Sequence, residues 1–332
     1  MSKICMVTYY GIRESLLSAA NGLEKQGHKV INFSLMYHQR EFPDTYKEIM
    51  IEFIKSENIE VILWWYINIP TIDFEYIVKE TNIKNIFFNW DEPSGWICRD
   101  LGGKAKFMEC AFVCCNETKV NYTNNGAKKA VFLLPGYDPE INYIMKDSDK
   151  EYDCDISIVC TELYGDEEME DGKYSNQYIN RKKLIDIIYE NQRSLNYTFK
   201  IYGPEYIKNL YPDSYGGFVR YENLNKVFNS SKINICTHAF QQYHQYVNER
   251  AILIMGSGGL IFLDRVKGFE ELFVGGQDCV YIDKDNILDQ IKDILYNYEK
   301  YCDIRLNARE TSKKYTWDKW GECIHKEYLS LL

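Results

Sequence analysis

The feature that most constrains the fold is an alternation of short, unbroken apolar runs with stretches of helical periodicity. In the first half the runs go from Lys3 to Tyr9, Lys29 to Phe33, Val61 to Trp65, Ile86 to Trp90, Phe112 to Cys114 and Val131 to Leu134. Between them, Ile12 to Gln26 reads as a helix stopped by Gly27. Tyr46, Ile49, Met50, Phe53 and Ile54 repeat at i, i+3, i+4, i+7 and i+8, one face of a helix. A strand that is apolar at every position must be covered on both faces. That requirement selects a parallel sheet whose strands are joined by helices.

The same grammar restarts after an interruption. Gly136, Pro139 and the charged stretch Lys146-Asp147-Ser148-Asp149-Lys150 read as an exposed linker. Beyond it come strands at Asp155 to Val159, Phe199 to Tyr202, Ile233 to Cys236 and Leu260 to Leu263. Helices are expected at Asn180 to Glu190, Val247 to Met255, Ile287 to Tyr298 and Thr316 to Leu332. Two doubly wound α/β domains follow, with boundaries at 1–140, a linker at 141–152, 153–314 and a last helix at 315–332. Ligands of such sheets lie at the carboxyl ends of the strands, so two domains of this kind imply a cleft there.

Composition narrows the class. The chain has 332 residues, 45% hydrophobic and 27% charged, enough for two ordinary cores. A net charge of -10 with no basic block disfavours nucleic acid and anionic membranes as partners. The 11 cysteines are odd in number, largely set in apolar runs, and form no CxxC pair. They read as buried thiols of a reducing compartment, not as a metal or disulfide framework. No apolar run nears the ~20 residues of a membrane span, and the start has no secretion signal. A soluble, cytoplasmic protein is expected. The 28 tyrosines suggest either sugar-stacking surfaces or simply an AT-rich genome.

Four constellations sit at strand ends. In Thr8-Tyr9-Tyr10-Gly11-Ile12-Arg13, Gly11 is either a plain turn residue or a site where a phosphate or acceptor meets bare backbone. GxGxxG and GxxxxGK[ST] are both missing there, which argues against dinucleotide dehydrogenases and P-loop enzymes. Asn89-Trp90-Asp91-Glu92-Pro93 offers two carboxylates, either of which can orient sugar hydroxyls or act as a base. Tyr202-Gly203-Pro204 offers a glycine beside which a flat base can lie. The richest unit runs from Thr237-His238 through Tyr246-Val247-Asn248-Glu249-Arg250 to Gly256-Ser257-Gly258-Gly259-Leu260 and Asp264. A helix opening near Asn248 aims its amides and dipole at the cleft, a seat for a diphosphate, with Arg250 as a fork of donors. Glu249 is placed to accept ribose hydroxyls and His238 to bond a sugar or phosphate.

With these residues in view, positions 153–320 resemble the CgeB-like (spore-protein) branch of the GT-B glycosyltransferases. The likeness is carried by Asn180-Arg181, Ile201-Tyr202-Gly203, Ser231 to Ile235, Tyr246 to Arg250, Gly258 to Asp264, Gly268 to Phe273 and Tyr315-Thr316-Trp317. The first half resembles the acceptor domain through Trp90-Asp91-Glu92-Pro93. The resemblance implies two Rossmann-like domains facing a cleft, with a C-terminal helix crossing back to the first. It implies a UDP-sugar donor, with GDP- or ADP-sugar as alternatives, and a carbohydrate, protein or small-molecule acceptor. By position, Arg181, Asn248 and Arg250 would face the diphosphate, and Tyr202 and Gly203 the base. Gly258 and Gly259 would pack closely beneath the donor. Relatives usually carry a ribose-binding glutamate where this chain has Leu253, and Glu249 is the available substitute.

The expected reaction is glycosyl transfer that retains configuration and needs neither cofactor nor metal, with Arg181 and Arg250 stabilising the leaving diphosphate. His238 is a further candidate. Were the reaction inverting, Asp91 and then Glu92 would be the candidate bases. A GT-B module that binds a nucleotide sugar without transferring it is the competing reading, and a homodimer is compatible with both.

Overall fold

A computed structural model describes residues 2–12, 14–90, 92–163 and 179–329. The chain divides into two compact units, Met1–Gly136 with Tyr315–Leu332, and Tyr137–Lys314.

The first unit is built on β1 (Lys3–Thr8), β2 (Lys29–Ser34), β3 (Val61–Trp64), β4 (Lys84–Asn89), β5 (Cys110–Val113) and β6 (Ala130–Phe132). All neighbours are parallel, in the order β2-β1-β3-β4-β5-β6. The apolar runs divide by twos, as the pleat demands. Cys5, Val7, Ile62, Trp64 and Phe87 enter one core, and Ile4, Met6, Val61, Leu63, Ile86 and Phe88 the other.

The helix Trp317–Leu329 belongs to this unit and closes the second of those cores with Trp317, Trp320 and Ile324. It crosses the helix Ser15–Glu24 where glycines meet. A Cβ on Gly22 would strike the carbonyl of Trp317, and one on Gly321 the carbonyl of Gly22. Lys25 pairs with Asp318 at 2.9 Å, and Lys129 with Glu327, along its flanks.

The second unit holds β7 (Cys154–Val159), β8 (Phe199–Tyr202), β9 (Tyr215–Gly217), β10 (Ser231–Cys236), β11 (Ile261–Leu263) and β12 (Val280–Tyr281). Their order is β12-β11-β10-β7-β8-β9, again all parallel. The order reverses between β7 and β10, so the ligand crevice of this sheet lies at their carboxyl ends. In the first unit the reversal lies between β1 and β3.

The stretch 141–152 is irregular and mostly exposed, yet it is fastened within the second unit. Tyr143 and Met145 donate backbone N–H to Asn225 and Asn229 at 3.0 and 2.9 Å, and Asp149 to Ser230 at 2.8 Å. Two strands that apolar patterning misses, β9 and β12, are only three and two residues long. Among the described residues no helix is long and apolar enough to cross a membrane.

Candidate functional site

At the reversal point of the second sheet, β10 ends at Cys236 and the chain turns at Thr237. Three side chains from two helices converge there. Arg181, in the first turn of the helix Ile179–Asn191, donates from Nε to Thr237 Oγ1 at 2.8 Å. Its other nitrogens reach the carbonyls of Thr237 (3.4 Å) and Glu162 (2.6 Å), tying the exits of β10 and β7 together. Asn248 donates from Nδ2 to the Thr237 carbonyl at 3.0 Å, and Arg250 to the same oxygen at 3.4 Å.

Asn248 also caps the helix Glu249–Ser257. Its backbone is extended, and its Oδ1 accepts from the N–H of Ala251 at 3.2 Å. Asparagine suits this position because its short side chain reaches an N–H that the helix leaves unpaired. Arg181 is only 6% exposed, so its charge is held by oxygen acceptors in a desolvated place. Burial pushes the Cys236 thiol up to about 12, while Arg250 and Arg181 pull against that shift. Both guanidiniums therefore act on the same point at the end of β10.

Behind this hub, Asp264 follows β11 and latches the loop after β10. Its Oδ2 accepts from the His238 backbone N–H at 2.6 Å and from Gln241 at 2.7 Å; its Oδ1 lies 2.7 Å from His238 Nδ1. The His238 side chain is wholly buried, edge-on to Tyr246 and Phe269. Its Nε2 has no hydrogen-bond partner among the described residues. A cavity of about 210 Å³ lies beside the latch. Thr237, Gln241, Asp264, Lys183 and Lys284 give it a polar side, and Leu184, Ile187, Ile282 and Ile287 an apolar wall.

The other expected residues divide by place. Val247 is buried beside the cap, and Glu249 opens the helix, half-buried. Leu253 is buried on the same helix, 3% exposed. Tyr202 is buried at the end of β8, its ring filling the space that a side chain on Gly216 would occupy. A Cβ on Gly203 would strike the Cys160 carbonyl, and Pro204 leads into the helix Tyr206–Leu210. Gly258 is the left-handed C-cap of the helix Glu249–Ser257, and Gly259 abuts Asn234 and Phe228. These two glycines therefore lie at the end of that helix opposite Asn248, ahead of the start of β11.

In the first unit, Asp91 lies outside the described residues. Glu92 is fully buried, accepting from Asn89 at 2.7 Å and from the Tyr122 hydroxyl. Burial, and then the Glu92 charge, hold the Tyr122 phenol well above its usual range. Trp90 packs edge-on against Trp65 at 5.0 Å. Gly11 has φ +127° and donates its N–H to Thr8 Oγ1 at 3.0 Å. The sequence had marked Thr237 and Asp264 only as the ends of a span. Their roles as hub and latch use a backbone carbonyl and a long-range carboxylate contact, and neither leaves a local sequence signal.

Two Rossmann-like units with these strand orders define the GT-B fold. Solved structures with that fold match the chain along its whole length. A sucrose-phosphate synthase from Thermosynechococcus elongatus is 12% identical, with a TM-score of 0.70 over 100% of this chain and 99% of that one. Anabaena HepE in complex with UDP-glucose is also 12% identical, with a TM-score of 0.67 over 100% of both chains. An α-glucosyltransferase in complex with UDP-glucose and DNA containing an abasic site is 10% identical, with a TM-score of 0.67 over 99% of each chain. Residues 181–326 match the model of a family described as glycosyl transferase-like. No curated protein sequence matches the chain.

Proposed function

We propose that the chain is a glycosyltransferase that moves a hexosyl unit from a UDP-sugar to an acceptor hydroxyl. The observation that carries this reading is the convergence of Arg181, Asn248 and Arg250 on Thr237 at the reversal point of the second sheet. Two guanidiniums and a helix N-terminus form a preorganised anion seat in a poorly solvated place. Structural neighbours are in complex with UDP and with UDP-glucose, ligands whose diphosphate is the group such a seat would take. The adjoining cavity of about 210 Å³ is smaller than a whole nucleotide sugar requires, so it takes one ring of the donor.

In this reading the bond from the anomeric carbon to the diphosphate breaks, and its electron pair passes to the leaving phosphate. Arg181 and Arg250 stabilise that charge where other enzymes use a divalent cation. The acceptor oxygen bonds to the anomeric carbon on the face being vacated, and its proton goes to the leaving phosphate, so configuration is retained. Glu92 is already committed to Asn89 and Tyr122, which suits a scaffold role better than that of a base. A place in the CgeB-like branch and a cytosolic location complete the proposal.

A thermal-shift comparison of UDP, GDP and ADP tests the donor. A ligand that binds only the folded state raises the midpoint, and UDP is expected to raise it most. Equal, negligible shifts with all three would remove the reading. NMR of the anomeric proton of the product decides between retention and inversion.

A further inference from the structure

The loop from β10 to the helix Glu249–Ser257 is fastened at both ends. Asp264 holds its start through His238 and Gln241. Glu271 holds its end. From the turn Phe269–Glu271, one carboxylate oxygen accepts from Gln245 Nε2 at 2.8 Å, and the other lies 3.0 Å from His244 Nε2. Backbone bonds run between the two fastenings. Gln245 N–H donates to the Lys267 carbonyl at 2.7 Å, and Lys267 N–H to that of Gln241 at 3.0 Å. Gly268 lets the His244 ring lie directly on the chain, where a Cβ would collide with it.

Gln245 is the point of strain. Its φ is +53°, in the left-handed region that glycine enters freely and most side chains avoid, and it is 4% exposed. A residue in this conformation persists only where its surroundings over-determine it. The chain then passes through buried Tyr246 and Val247 to the cap at Asn248. The turn at Gln245 therefore sets the direction from which Asn248 and Arg250 reach the Thr237 carbonyl. Glu271 adds little as an ion pair, because its side chain is 63% exposed and that of His244 30%, and exposed pairs are weak. What it fixes is geometry. It gives the buried Gln245 amide a charged acceptor, and such bonds are short and directional. Misplacing binding groups by about 1 Å can cost about 100-fold, so the direction of this turn matters more than its stability.

We propose that Glu271 is a positioning residue for the diphosphate: through Gln245 it holds the strained turn from which the helix Glu249–Ser257 presents Asn248, Arg250 and its first amides. The proposal rests on the donor reading and adds to it a residue that acts on that seat through the backbone.

Calorimetric titration with UDP, amide hydrogen exchange and urea unfolding of the full chain test it, with Glu271→Ala and Glu271→Gln as variants. Glutamine keeps an oxygen that accepts from the Gln245 amide, and alanine does not. Glu271→Ala is expected to bind UDP about tenfold more weakly, to exchange faster at the Gln245 and Lys267 amides, and to keep the wild-type urea midpoint. Glu271→Gln should return to within about threefold of wild-type affinity and to wild-type exchange at those amides. Wild-type UDP affinity in Glu271→Ala would overturn the proposal, whatever the exchange shows. So would weaker binding accompanied by a lowered urea midpoint and faster exchange throughout the second unit, the mark of a residue that only stabilises. Failure of Glu271→Gln to recover would overturn it as well, because the carboxylate charge and not the held turn would then be at work. If UDP does not bind the wild type, the donor reading falls, and faster exchange at Gln245 and Lys267 in Glu271→Ala alone still upholds the held turn.

Discussion

Thr237 shows how a backbone carbonyl organises a site. It accepts from Arg181, Asn248 and Arg250, yet the arginines differ in what else they hold. Arg181 also bonds the Glu162 carbonyl and is almost sealed from solvent. Arg250 is more open, and among the described residues it reaches the Thr237 carbonyl alone. Arg250→Ala is therefore expected to lower kcat/KM about 100-fold or more with an unchanged urea midpoint, as for loss of one donor to a developing anion. Arg181→Ala should weaken UDP binding and also lower stability by about 2 kcal/mol, because buried charge-assisted bonds are lost. Equal stability of the two variants would contradict this division. Asp264→Ala removes three contacts to the loop after β10 and strands a buried imidazole, for a loss of about 3 kcal/mol by denaturant unfolding. The cap at Asn248 was legible because a polar residue opening a helix after a strand announces it, and Arg250 lies in the first turn of that helix; Arg181 was pointed to by the family resemblance alone. The sealing of His238 and Glu92 was not legible, because partners 26 and 30 residues away decide it.

At the scale of elements, the helix Trp317–Leu329 is attached to the first unit by close packing and by titratable contacts. Gly22→Ala inserts a methyl group where the Trp317 carbonyl stands, and overpacking of this kind costs about 1–3 kcal/mol. A chemical-denaturation midpoint matching wild type would refute the crossing as described. At the same junction His28 Nε2 lies 2.8 Å from His325 Nδ1, and Ser2 donates to His28 Nδ1. Burial, then the neighbouring His325, lower the His28 pKa. The unfolded chain then binds more protons than the folded one, so stability is complete above the ordinary histidine value near 6.5 and is lost as pH falls below it. Stability measured from pH 7 down to pH 5 should decline, and His28→Asn should flatten that decline. Longer elements were readable from apolar runs and i, i+4 spacing. The edge strands β9 and β12 were not, since pairing with β8 and β11, not their own pattern, makes them strands.

Across the whole molecule, the same α/β grammar builds two sheets with different strand orders. The alternation of runs and helices announced the architecture; it could not announce the orders, which depend on long-range pairing that no local pattern encodes. The cysteines fit this picture of continuous cores. Eight of the 11 are buried, and burial pushes the thiols of Cys110, Cys236 and Cys279 up to about 12. Maleimide labelling of the native protein should therefore modify exposed Cys98 first, with Cys302 and Cys323 slower and the rest only on unfolding. The central claim is that guanidiniums and the helix opening at Asn248 grip the diphosphate of a donor. A crystal structure with UDP measures that directly. The account predicts phosphate oxygens within hydrogen-bond reach of Arg250 and of the first amides of the helix Glu249–Ser257, next to Thr237. UDP bound elsewhere, with these groups still turned to Thr237 and Glu162 alone, would contradict it.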